Sequence, residues 1–107
     1  MIITPHELQQ WVSAGRSFIA ADIRLEEQRH HFPISGLEAI TASAEDLPTR
    51  KKEPLVLICQ FGVLTEELII NQNLENAYSL LGGVQSWEAY QADNMDLSQI
   101  GRASCRE

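Results

Sequence analysis

The chain has 107 residues, which leaves room for one domain with one modest core, since a domain of this size buries only about two thirds of its unfolded surface. Eight basic residues against fifteen acidic ones leave a net charge of −7, which argues against a nucleic-acid backbone or an anionic membrane as partner. No run approaches the roughly 18 apolar residues of a membrane span, and Met1-Ile2-Ile3-Thr4-Pro5 lacks the basic start and apolar centre of a signal peptide, so a cytoplasmic location is expected.

Ile2 and Ile3 suit a short edge strand. Thr4-Pro5-His6-Glu7 then has the pattern of a capping box, with threonine at the cap, proline at the first helical position and glutamate three residues on. Leu8, Trp11 and Val12 follow at helical spacing and Gly15 supplies a stop, predicting a helix over about 5–14. Phe18 to Ile23 reads as a buried strand carrying Asp22 near its end, with Arg24 next. A solvated surface pair is the plain reading of these two charges, although both lie close to Cys59 if their strands are parallel neighbours.

Residues 25–32 predict a short helix broken by Pro33. His30 and His31 are adjacent on it and do not face each other, so they make no evident metal pair and no metal is expected. Ile34 to Ser43 is a weakly extended segment. Ala44 to Lys52 is a polar connection, helical at most, whose charges are most simply a solvated face.

Leu55-Val56-Leu57-Ile58-Cys59 organises the rest. An apolar run between Pro54 and Gly62 fits a strand buried on both faces, as in a parallel sheet covered by helices. Ligands in such sheets bind beyond the carboxyl ends of the strands. The N–H groups of the turn and of the next helix point into that space and favour a negative charge, such as a thiolate or persulfide carries. A small buried hydrophobe finishing a strand is the bland alternative for Cys59.

A helix is expected over Thr65 to Asn73, with Leu68, Ile69 and Leu64 inward and Glu66 and Glu67 in its first turn. Ala77 to Leu81 makes a further strand, and Gly82-Gly83 turns into a last helix holding Val84, Trp87 and Tyr90. From 93 to 107 the composition is polar and aperiodic, as in a frayed tail or a cloning remnant beyond a 1–92 domain. Cys105 lies in that tail with nothing to stabilise a thiolate, and both cysteines are expected to be reduced. Alternating strands and helices predict an α/β domain, a small, mainly parallel five-stranded sheet with helices on both faces.

In four places, in the same order, the chain resembles the single-domain rhodanese (sulfurtransferase) family. They are Ile3-Thr4-Pro5-His6-Glu7-Leu8; Asp22-Ile23-Arg24; the loop Ile58-Cys59-Gln60-Phe61-Gly62-Val63-Leu64-Thr65; and Leu81-Gly82-Gly83-Val84-Gln85-Ser86-Trp87. Gln60-Phe61-Gly62-Val63 is similar to rhodanese domains that work with adenylyltransferases of ubiquitin-like sulfur carriers. The resemblance implies that Cys59 accepts sulfane sulfur as a persulfide and passes it to a thiol or a sulfur carrier. It implies a cradle of backbone N–H groups from Gln60, Phe61, Gly62, Val63, Leu64 and Thr65, with Thr65 also capping the helix and donating to the sulfur, and support from Asp22 and Arg24. No metal or organic cofactor is implied. Donors and acceptors would be proteins or small persulfides, a cysteine desulfurase or a ubiquitin-like sulfur carrier among them.

Leu64 stands where the family usually has arginine, and Gln60 where many members have another. A loop without its own cation should bind the thiosulfate dianion poorly, so weak thiosulfate activity is expected. A catalytically weak binding module is the alternative. A phosphatase or arsenate-reducing site is disfavoured, because oxyanion binding calls for an arginine near positions 64 and 65, which are Leu and Thr.

Overall fold

The computed structural model describes residues 1–43, 45–47 and 53–100, with side chains through Asp93. Its elements run β1 (Ile2–Ile3), α1 (Pro5–Ser13), β2 (Ile19–Asp22), α2 (Glu26–His31), β3 (Ile40–Thr41), β4 (Leu55–Ile58), α3 (Val63–Asn71), β5 (Ala77–Leu80) and α4 (Gly83–Ile100). The strands form one sheet in the order β1-β5-β4-β2-β3, and every pairing within it is parallel. This agrees with the α/β architecture expected from the sequence.

The apolar run of β4 occupies the centre because alternate residues serve opposite cores. Val56 and Ile58 join Ile3, Leu8, Ala20, Leu80, Val84 and Trp87 on the face covered by α1 and α4. Leu55 and Leu57 join Ala21, Ala77 and Ile69 on the face covered by α3. All four β4 side chains are buried, each worth roughly 1.5–3 kcal/mol when removed from water. Trp87 is fully buried and its indole N–H donates to Ser35 O at 2.8 Å, so its polar atom is satisfied inside the core.

The capping box of α1 forms as the sequence indicated: Glu7 N–H donates to Thr4 Oγ1 at 3.1 Å, and Thr4 N–H to Glu7 Oε1 at 3.0 Å. Three local expectations change. The helix after Cys59 starts at Val63, not Thr65, because Gly62 turns the chain with φ +88° and is itself the N-cap. Leu64 therefore points outward and is 52% exposed, whereas Thr65 is buried. Asp22 and Arg24 are both buried and are not a surface pair.

α4 continues to Ile100, past residue 92 where the polar composition begins. A helix nucleated on a docked first half propagates at little cost per residue, and so needs no apolar pattern of its own there. Most of the 44–52 connection and residues 101–107, with Cys105, lie outside the described residues. The described fragment at Glu45–Leu47 is not helical; Asp46 bridges antiparallel to Ser43. Among the described residues no helix is long and apolar enough to cross a membrane.

Candidate active site

From β4 the chain leaves through α3 toward β5, while from β2 it leaves through α2 toward β3 on the opposite side. The crevice beyond the carboxyl ends of β2 and β4 is thus the switch point of the sheet. Asp22 pairs in register with Ile58, which brings Asp22, Arg24 and Cys59 to that crevice.

Cys59 follows Leu55 and Leu57 on the face toward α3. Cys59 is 5% exposed, and Gly62 N–H donates to its Sγ at 3.0 Å. Thr65 Oγ1 lies 3.6 Å from the same sulfur. Thr65 is therefore not the helix cap but the third helical residue, facing the thiol from the first turn of α3. Since the N-cap is a glycine with no side-chain cap bond, that turn keeps its positive end open toward the sulfur.

Thr65 Oγ1 also lies 2.6 Å from Ser79 Oγ, and both hydroxyls donate to Gly62 O, at 3.2 and 3.1 Å. Ser79 is a site neighbour that the sequence reading missed. A serine in the otherwise apolar Ala77-Tyr78-Ser79-Leu80 run was the available signal, because a hydroxyl buried in a central strand needs a partner.

The loop is held from behind by α4. Val84 N–H donates to Cys59 O at 2.9 Å and Gln85 N–H to Gln60 O at 3.3 Å, so the start of α4 grips the loop backbone. Gly83 must be glycine for this approach: φ is +62°, and a Cβ would lie 2.6 Å from Gln60 C. From the side the loop is held by Arg24, which donates to Gln60 Oε1 at 2.9 Å and Phe32 O at 2.8 Å. The same guanidinium donates from Nε and Nη2 to the Asp22 carboxylate at 2.8–3.2 Å. Arg24 thus ties the end of β2, the end of α2 and the loop together, with its charge balanced by Asp22.

A cleft of about 450 Å³ opens above Cys59. Ile23, Leu25, Phe61, Val63 and Leu64 make its walls apolar, and Arg24 and Glu67 are its charged groups. A second cleft of about 550 Å³, bounded by His31, Phe32, Val84 and Glu88, lies across Gln60 and Phe61 and does not include Cys59.

No protein-family model matches the chain. Among curated proteins it is similar to the thiosulfate sulfurtransferase GlpE of Coxiella burnetii, 24% identical over 95 residues that cover 78% of this chain and 84% of the relative. Among solved structures it superposes on a rhodanese-like domain protein from Staphylococcus aureus with TM-score 0.66 and 22% identity, covering 81% of this chain and 91% of that one. The chain has a rhodanese-like fold. A Rhodopseudomonas palustris protein of unknown function, described as a possible tyrosine phosphatase, also superposes with TM-score 0.66, at 16% identity over 84% of this chain and 80% of that one.

Within this rhodanese-like frame the sequence-selected residues converge only in part. Cys59, Gly62 and Thr65 meet at the sulfur, and Asp22, Arg24 and Gln60 form one connected network beside it. Phe61, Val63 and Leu64 instead face outward as the rim of the cleft, 63%, 67% and 52% exposed. Of the loop's backbone donors, Gly62 N–H makes the hydrogen bond to the sulfur.

Proposed function

We propose that the protein is a sulfurtransferase that carries sulfane sulfur on Cys59 as a persulfide. The observation supporting this is the buried Cys59 thiol at the base of a cleft, held by Gly62 N–H at 3.0 Å beside the open start of α3. The thiolate attacks the outer sulfur of a donor R–S–SH, forming the Sγ–S bond of Cys59–S–SH as the donor's S–S bond breaks and R–S⁻ leaves. An acceptor nucleophile then takes the outer sulfur and Cys59 leaves as thiolate, so the cycle is redox-neutral. Backbone dipoles at the first turn of α3 stabilise the persulfide anion as they would the thiolate.

Thiosulfate is the substrate in the Coxiella relative's name, but this loop meets a dianion with Leu64 and with an arginine already neutralised by Asp22. A persulfide carried on a small thiol or on a protein fits better, because it presents one negative charge and an apolar stem to apolar walls. Cysteine desulfurases and ubiquitin-like sulfur carriers are the partner classes proposed from the loop's resemblance. A phosphate monoester meets, among the described cleft residues, the same lack of a free cation as thiosulfate does, which weighs against the phosphatase reading.

The exposed apolar rim of Leu25, Phe61, Val63 and Leu64 favours a second reading, a docking module without turnover. Intact-mass spectrometry after exposure to a small-thiol persulfide separates the two. The transferase reading expects a gain of one sulfur that disappears in Cys59→Ser and persists in Cys105→Ser. An unmodified Cys59 favours docking alone.

A further inference from the structure

Three side chains and one peptide unit form a closed hydrogen-bonding group beneath the sulfur. Cys59 Sγ meets Thr65 Oγ1 at 3.6 Å, Thr65 meets Ser79 Oγ at 2.6 Å, and each hydroxyl reaches Gly62 O at 3.2 and 3.1 Å. Thr65 and Ser79 are 0% and 1% exposed, so each hydroxyl hydrogen must be used within this group.

Besides the arrangement in which both hydroxyls donate to Gly62 O, the group has two in which the short Thr65–Ser79 contact carries a hydrogen. With Cys59 as a thiol, S–H donates to Thr65, Thr65 to Ser79, and Ser79 to Gly62 O. With Cys59 as thiolate or persulfide, the chain reverses: Ser79 donates to Thr65, and Thr65 turns its hydrogen to the sulfur, joining Gly62 N–H. In this arrangement Gly62 O gives up its hydroxyl donor, and an N-cap carbonyl generally has a helical N–H to accept from instead. Among the described residues Ser79 alone is placed to donate to Thr65 Oγ1 once Thr65 has turned, and a donor in that position strengthens the next bond in the chain.

We propose that Ser79 is a positioning residue that acts through Thr65, reversing a two-hydroxyl chain as the charge on Cys59 changes. The persulfide part of this rests on the sulfurtransferase reading. The thiolate part does not. The charged groups facing Cys59 are Glu67 of α3 and Arg24 with its partner Asp22; among the described cleft residues β5 and α4 contribute none.

The test measures the pH profile of Cys59 alkylation by iodoacetamide, and its ultraviolet thiolate absorbance, in a Cys105→Ser background. Ser79→Ala should slow alkylation near neutral pH roughly three- to tenfold, as expected for losing support of a hydrogen bond to a charged group, and shift the profile to higher pH. In Thr65→Val the same Ser79→Ala change should add nothing, whereas in Thr65→Ser its effect should return. Unchanged alkylation and absorbance in Ser79→Ala, or an equal effect in the Thr65→Val background, would overturn the proposal. If a variant does not fold, as judged by circular dichroism, the coupling is read from Thr65→Ser and Ser79→Thr, which keep both hydroxyls and should keep wild-type profiles; a shifted profile there overturns it as well. No sulfur donor enters these measurements, so their failure is distinct from failure of the transferase reading.

Discussion

Leu64→Arg should raise thiosulfate turnover. Leu64 lines the cleft beside Cys59 and is 52% exposed, so a longer side chain can extend over the opening without disturbing the core. A guanidinium hydrogen-bonded to a bound anion contributes about 1.5–3 kcal/mol. Glu67, three residues on along α3, competes for the new cation, and an exposed helical pair of this spacing is worth about 0.2–0.5 kcal/mol. The remainder, roughly 1–2.8 kcal/mol, corresponds to about a five- to hundredfold rise in kcat/KM for thiosulfate. Thiocyanate formation from thiosulfate and cyanide measures it, with a small-thiol persulfide as the reference donor and Leu64→Met as the uncharged control. Robust thiosulfate turnover by the wild type, or no gain in Leu64→Arg, would refute the argument that the missing cation limits this loop.

Asp22→Asn leaves the buried Arg24 charge without its partner and should cost about 3–5 kcal/mol of stability, seen as an earlier midpoint in urea. A midpoint within error of wild type would mean that water reaches the pair. Gly83→Ala places a methyl against the Gln60 backbone at a positive φ and should both destabilise the domain, by at least the ~1–2 kcal/mol of the left-handed conformation, and slow alkylation of Cys59. Destabilisation with unchanged Cys59 reactivity would separate α4 from loop positioning. The Glu7 carboxyl is held below its ordinary value of 4.5 by the Thr4 N–H and then the Thr4 hydroxyl. A lowered folded value means a contribution that is present above the ordinary value and lost as pH falls through the folded one. The stability advantage of wild type over Glu7→Gln should therefore be full near neutral pH and vanish in acid; a constant difference would contradict this.

Much of the fold was legible because the local signals agree with the global arrangement. β4 reads as a central strand because both its faces are apolar, and α1 is announced by a capping box that the structure forms. The sequence reading placed Asp22 near Cys59 on condition that their strands are parallel neighbours, and the structure meets that condition by pairing Asp22 with Ile58. What the sequence hid was mostly the destination of polar groups. Asp22 and Arg24 look like any solvated pair, and their burial depends on three separate segments offering acceptors to one guanidinium. Thr65 looked like a cap because glycine's ability to begin a helix with no side chain leaves no mark in the pattern. That one shift in the helix start turned Leu64 outward and removed Thr65 from the cap, while its contact with the sulfur is the one the loop's resemblance implied. Ser79 sits fourteen residues from Thr65 in sequence, a separation at which no helical or strand periodicity links two hydroxyls.

Whether Cys59 passes sulfur on, beyond merely holding it, is tested most directly by a single turnover. Protein loaded with one sulfane sulfur, freed of donor and mixed with an excess acceptor thiol, should return to its unmodified mass while the acceptor gains the sulfur in equal amount. A loaded Cys59 that keeps its sulfur, or a wild-type protein that loads no better than Cys59→Ser, would contradict the account.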